Sequence, residues 1–222
     1  MTTKNLPVNP TALLKKQLAE AQTRIGQGEG RRIKISIAGF QDPNGVVGSQ
    51  LEVVVIDYTL VHSYFDKPYD ADNIFPPVCY ANDRVFAALA PVSDSPDPQA
   101  DSCAVCPMNR FKSAPNKKAK ACRNSRLLAI VPANDIAGAP LWTFSVAPTS
   151  TSRWDSYNTE LMKLNLTPMF AKTKIEFEAA GTYAKPIFSV MEPLSKQETS
   201  DAIARLPEAR DVIDLQPDWS DE

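Results

Sequence analysis

The stretch Leu51-Glu-Val-Val-Val-Ile-Asp-Tyr-Thr-Leu-Val61 decides the fold class. β-branched and aromatic side chains dominate it and neither Gly nor Pro interrupts it, the composition that fits a pleated, packed surface. Upstream, Arg32-Ile-Lys-Ile-Ser-Ile37 alternates with period two and predicts that Ile33, Ile35 and Ile37 face inward. Asp42-Pro-Asn-Gly45 supplies the residues of a turn between the two runs. Farther upstream, residues 10–24 read as a helix. Asn9 is its N-cap, Pro10 takes the first helical position, Leu13, Leu14, Leu18, Ala21 and Ile25 share a face, and Gly26, Gly28 and Gly30 end it.

Downstream, residues 66–126 change character: they are rich in proline, charge and cysteine, with little periodicity. β structure resumes at Leu127–Val131 and Leu141–Val146, then at Lys172–Phe177 and Pro186–Met191. Ser152–Leu164 reads as a helix with Trp154, Tyr157, Leu161 and Leu164 at helical spacing, and Lys196–Leu206 as a short one, after which Pro207 opens a tail. The pattern predicts a mainly β chain with a few short helices (α+β). A small barrel or sheet would be interrupted by a metal-organised subdomain. The expected organisation is an N-terminal helix and linker over 1–30, a core over 31–206 with the insertion at about 66–126, and an acidic tail over 207–222.

The four cysteines all fall in that irregular region, as Cys79-x23-Cys103-x2-Cys106-x15-Cys122. A C-x2-C pair puts two thiolates on one tight turn, within reach of one tetrahedral ion, and Cys79 and Cys122 are the remaining thiols able to complete it. The expected metal is structural zinc, since four protein ligands leave no open position for water or substrate. The single histidine, His62, is the alternative to Cys79, although a strand residue at the end of a hydrophobic run has a simpler place in the core. Two disulfides and an iron–sulfur cluster are the competing uses of four cysteines.

Net charge is −2, so any affinity for nucleic acid must come from where the charge sits. Between Ser102 and Asn134 there is no acid and there are seven bases: Arg110, Lys112, Lys117, Lys118, Lys120, Arg123 and Arg126. Such a cluster suits a phosphate backbone, and Phe111, between Arg110 and Lys112, is placed to stack on a base. Tyr64, Tyr69 and Tyr80 sit among polar neighbours and are further stacking candidates. The segment Pro207–Glu222 holds six acids against Arg210 alone, with Asp218, Trp219, Asp221 and Glu222 as its partner-binding end. No apolar run approaches the roughly 20 residues of a membrane helix. Met1-Thr-Thr-Lys-Asn5 lacks a secretory apolar stretch, so a soluble cytoplasmic protein with reduced thiols is expected.

The segments Pro77-Val-Cys79, Ser102-Cys-Ala-Val-Cys-Pro-Met-Asn-Arg-Phe-Lys-Ser113 and Lys117-Lys-Ala-Lys-Ala-Cys-Arg-Asn-Ser-Arg-Leu-Leu-Ala-Ile-Val131 resemble a group of bacteriophage proteins. Those proteins share a C-x2-C-P-x-N-x-aromatic-x-S segment and a basic run ending in Ala-Cys. The resemblance extends over roughly residues 75–195, including Trp154 with Tyr157. Phe111 stands where the pattern has tryptophan and Lys112 where it has glycine. In plan the chain is also similar to phage single-stranded DNA-binding proteins, with an OB-like β-barrel, a zinc-containing insertion and an acidic tail. That likeness implies a non-sequence-specific single-stranded DNA-binding protein of phage DNA replication or recombination, working in the infected host cell. Its tail would recruit replication or recombination proteins. A zinc-containing adaptor, including a regulator of host transcription, is the alternative. An enzyme is not expected. Asp66, Asp70, Asp72 and Asp83 are close enough in sequence to hold magnesium for a nuclease, but their Pro and Tyr neighbours read as a solvated loop, and no phosphate loop or nucleophile motif accompanies them.

Overall fold

Leu51–Val61 forms the middle of β4 (Gln50–Tyr64), the strand on which the molecule is built. Val53, Val54, Val55 and Ile56 are all buried. Four consecutive buried apolar residues require cover on both faces of a sheet, because successive side chains point to opposite sides. The computed structural model describes residues 31–36, 39–70, 72–180 and 183–217. The helix expected over 10–24, Ile37, and the tail residues Asp218, Trp219, Asp221 and Glu222 lie outside the described residues.

A small sheet, β1 (Lys34–Ser36), β2 (Gly39–Gln41) and β3 (Val47–Gly48), precedes β4. The expected turn lies between β2 and β3, with Asp42 Oδ1 accepting from the Asn44 and Val46 N–H groups. After β4 come β5 (Cys79–Asp83), β6 (Arg123–Pro132), β7 (Trp142–Val146), α1 (Thr151–Lys163), β8 (Ala171–Ala180), β9 (Tyr183–Pro193), α2 (Lys196–Ala204) and α3 (Leu206–Ile213). The main sheet has the order β7-β6-β4-β8-β9, and every pairing in it is antiparallel. Because β4 is long, one of its edges serves two partners: β8 pairs with Gln50–Val54 and β5 with Leu60–Tyr64. Among the described residues β7 and β9 do not pair with each other, so of the two expected forms, barrel or sheet, the described strands make the open sheet.

One face packs Val53, Val55, Leu128 and Ile130 against Trp154, Tyr157 and Leu161 of α1, with Phe40 of the small sheet closing the end. The other packs Val54, Ile56, Ala129 and Val131 against Ala202 of α2 and Ala209, Val212 and Ile213 of α3. Ile33 is buried as predicted, its N–H bonded to Thr143 O at 2.9 Å. Ile35 is exposed, since the edge strand β1 leaves it outside the core. Leu164 lies past the end of α1 and is exposed.

The tail expected from Pro207 is not a tail at its start. Proline at the first turn of a helix needs no N–H partner and presets φ, so Pro207 opens α3 instead of ending α2. Ala209, Val212 and Ile213 recur at i, i+3 and i+4 and bury one face. Two of the six acids are engaged by the folded core. Glu208 pairs with Arg205 at 2.9 Å and with Arg31 at 3.5 Å, and Asp214 pairs with Arg84 at 3.0 Å. Among the described residues no helix is long and apolar enough to cross a membrane.

Candidate metal centre and nucleic-acid interface

The ends of β4, β5 and β6 gather the cysteines. The sheet register sets Cys79 opposite Tyr64, while His62 lies opposite Ala81 on β5 and Asn124 on β6. Period two then places His62, Tyr64, Cys79, Ala81 and Asn124 on one face. Cys122 is the residue just before β6 begins. Over this end of the sheet folds the loop carrying Cys103 and Cys106. The result is a small cavity of about 10 Å³ walled by all four cysteines together with His62 and Tyr64.

Backbone and side-chain bonds hold the loop in place. Leu89 O accepts from Cys103 N–H at 3.0 Å. Pro107 starts a short 3₁₀ turn, Pro107–Asn109, after Cys106. Asn109 spans the C-x2-C turn, its amide donating to Cys103 O at 2.8 Å and its backbone N–H to Cys106 O at 3.1 Å. Cys122 N–H reaches Met108 O at 2.9 Å. Ser113 Oγ donates to Met108 O at 2.7 Å and accepts from Ala121 N–H at 2.8 Å. Proline, asparagine and serine of the segment thus each close part of the knuckle.

All four cysteines are free thiols and all are buried, so the disulfide alternative is not realised. Burial, with the neighbouring thiols adding to it, pushes Cys103 up to about 11 and Cys122 up to about 12; burial also raises Cys79. The thiols are gathered but not converged: among the described residues no three ligand-type side chains are placed to hold one ion. His62 is 2% exposed and kept neutral, its pKa lowered to about 4 by burial and by the charges of Lys120 and Arg126. Its Nε2 lies 3.1 Å from the Asn124 side-chain oxygen when that amide is oriented to suit its neighbours, and its Nδ1 has no hydrogen-bond partner among the described residues. The hydrophobic run alone makes His62 a core strand residue. Its place on the cysteine face comes from the register, which sets Tyr64, two residues on, opposite Cys79.

The basic segment divides into two groups. Arg110, Lys112, Lys117, Lys118 and Lys120 are exposed on the loop, and Phe111 between the first two is 67% exposed. Lys112 has φ +70°, the left-handed backbone that favours glycine, so the turn survives with lysine where the resembling pattern has glycine. Lys120 Nζ is tethered to Asn109 Oδ1 at 3.0 Å. Arg123, exposed at the start of β6, lies 4.8 Å over the Phe65 ring. Arg126 leaves the set: its side chain is largely covered and pairs with Asp155 of α1 at 3.6 Å.

The tyrosines divide as well. Tyr80 is 6% exposed, its hydroxyl 3.5 Å from Leu215 O, and is a core residue where base stacking was expected; on β5 its side chain points away from the cavity, under the residues that follow α3. Tyr64 is half-buried in the cavity wall, and Tyr69 is 72% exposed. Asp66, Asp70 and Asp72 are exposed, and Asp83 accepts from Val85 N–H at 2.7 Å, without forming a cation site among the described residues. No protein-family model matches the chain, and neither a curated protein nor a solved structure matches it significantly.

Proposed function

We propose that this chain binds single-stranded DNA without strong sequence preference, as an accessory of phage DNA replication or recombination in the host cytoplasm. The observation that carries this reading is Phe111: a solvent-facing ring between two cations, on a loop fastened by Asn109 and Ser113, with three more lysines beside it. Bases stack on such a ring whatever their identity, while the ammonium and guanidinium groups follow the phosphates. Binding of this kind needs no bond-making step, so no catalytic residue is proposed. A titration of fluorescent dT oligomer, matched RNA oligomer and duplex DNA at two salt concentrations tests it. Tightest binding to the single strands, weakening with salt, is expected. Absence of nucleic-acid binding by zinc-loaded protein sinks the proposal and favours the adaptor reading.

The insertion between β4 and β6 is proposed to be a zinc subdomain, its ion held by the cysteines of the cavity. Soft thiolates select zinc, and buried thiols that repel one another when ionised become favourable only around a cation. The cation would also draw the gathered sulfurs to bonding distance, so that folding of the loop and metal binding are one equilibrium. Metal analysis should find about one zinc per chain. Asp218, Trp219, Asp221 and Glu222 are proposed as the segment that recruits replication or recombination proteins. An OB-like relationship would have to lie in the use of the sheet, since the described strands form no closed barrel.

A further inference from the structure

His62 walls the cavity beside the four cysteines. His62 is fixed in the middle of three paired strands, with Ala81 on one side and Asn124 on the other. With its amide oriented to suit its neighbours, Asn124 is itself anchored, donating to Cys122 O at 3.1 Å while its oxygen receives His62 Nε2–H at 3.1 Å. That bond selects the tautomer with the proton on Nε2 and leaves the lone pair on Nδ1. Nδ1 is buried and, among the described residues, without a partner, and leaving such an atom unsatisfied costs free energy. The same division of labour, one ring nitrogen donated to an amide or carboxylate oxygen and the other left for a metal, orients histidine ligands generally.

We infer that His62 is a nitrogen ligand of the metal centre, binding the ion through Nδ1. The inference rests on the zinc reading above. A tetrahedral ion takes four donors, so three sulfurs and one nitrogen fill it and one of the four cysteines is surplus. Loading then displaces protons from three thiols and none from His62, which is already neutral.

Because His62 is the only histidine, its ring nitrogens can be read without ambiguity. Full-length protein labelled with ¹⁵N-histidine and loaded with ¹¹³Cd should show the Nδ1 resonance split by cadmium and Nε2 still bearing its proton. Bound cadmium with an unsplit Nδ1 overturns the inference while leaving the metal reading standing. No bound cadmium or zinc overturns both. In a chelator competition His62→Gln should weaken zinc by at least about tenfold, and an unchanged affinity counts against the ligand role. Of the four single Cys→Ser variants one should keep its zinc. Equal loss in all four places the sulfurs, and not His62, around the ion.

Discussion

Replacing Phe111 by alanine separates recognition from stability. The ring is 67% exposed, which leaves about a third of it covered. Full burial of a phenylalanine side chain contributes roughly 1.5–3 kcal/mol, so a third of it amounts to about 0.5–1 kcal/mol. For a chain of this size that lowers Tm by roughly 1–4 °C. If the ring stacks on a base, losing it costs about 1–3 kcal/mol of binding, roughly 5- to 150-fold in Kd. The salt dependence should not change, because the ring neutralises no phosphate. Tyr80→Ala is the opposite case. That ring is 6% exposed beneath Leu215, so its loss should cost about 3–5 kcal/mol of stability and leave the affinity of the folded fraction unaltered. Anisotropy titrations on a dT oligomer at two salt concentrations, beside thermal melts of the same samples, read all four quantities. A Phe111→Ala protein that binds as tightly as the parent, with the same salt slope, refutes the stacking role of this loop.

Five strands of the main sheet, β4, β6, β7, β8 and β9, were legible as apolar or alternating runs bounded by turn chemistry, and α1 because Trp154, Tyr157 and Leu161 repeat at helical spacing; β5 was not, because Cys79–Asp83 lies in the stretch 66–126 that reads as irregular. What the run Val53–Ile56 could not say alone is that both faces are covered; that depends on α1 and α3, which arrive a hundred residues or more later. Pro207 was misleading for a local reason, since the same residue ends one helix and starts another, and only the burial of Ala209, Val212 and Ile213 decides between them. In the site, the sequence spacing grouped the four cysteines in one region, and the cavity has all four in its wall. The place of His62 could not be read from spacing. It follows from the register of β4 against β5 and β6, a long-range property. Arg126 and Tyr80 failed as nucleic-acid-binding candidates for a related reason: a side chain is available to a ligand only if no distant element covers or pairs it. Asp155 of α1 pairs Arg126, and the residues after α3 cover Tyr80.

Reversing charge at Lys117, Lys118 and Lys120 together should weaken binding to all single-stranded sequences alike and lower the log–log salt slope by roughly 0.7 for each phosphate no longer neutralised; an unchanged slope places the site elsewhere. Lys112→Gly relieves a left-handed backbone at φ +70°. It should raise stability by about 0.5–1 kcal/mol in thermal melts, the strain of roughly 1–2 kcal/mol being partly offset by the freedom glycine gains when unfolded. Metal-free protein should lose stability as pH rises. Cys103 and Cys122 are held at about 11 and about 12, above the ordinary thiol value near 8.5, so between pH 8.5 and 10 the unfolded chain sheds protons that the folded one retains. Zinc-loaded protein, whose thiols are already ionised and regain protons on unfolding, should instead gain stability as pH rises toward the ordinary thiol value, and chemical denaturation at pH 7.5 and 9.5 with and without metal compares the two. The final test concerns the C-terminus. With Glu208 and Asp214 ion-paired to the folded domain and Asp211 within α3, the acids beyond α3 left to compete with DNA for the basic loop are Asp218, Asp221 and Glu222. Removing residues 218–222 should therefore leave Tm unchanged and tighten dT binding, most at low salt, where screening is weakest. Removing residues 206–222 strips Val212 and Ile213 from the face they cover, roughly 3–6 kcal/mol of apolar burial. That is a large part of the 5–15 kcal/mol typical of a domain, so the longer truncation should melt far lower or fail to fold. Equal melting temperatures for the two truncations would show that α3 contributes nothing to the fold. Unchanged affinity in the shorter one would make its three acids bystanders to DNA binding.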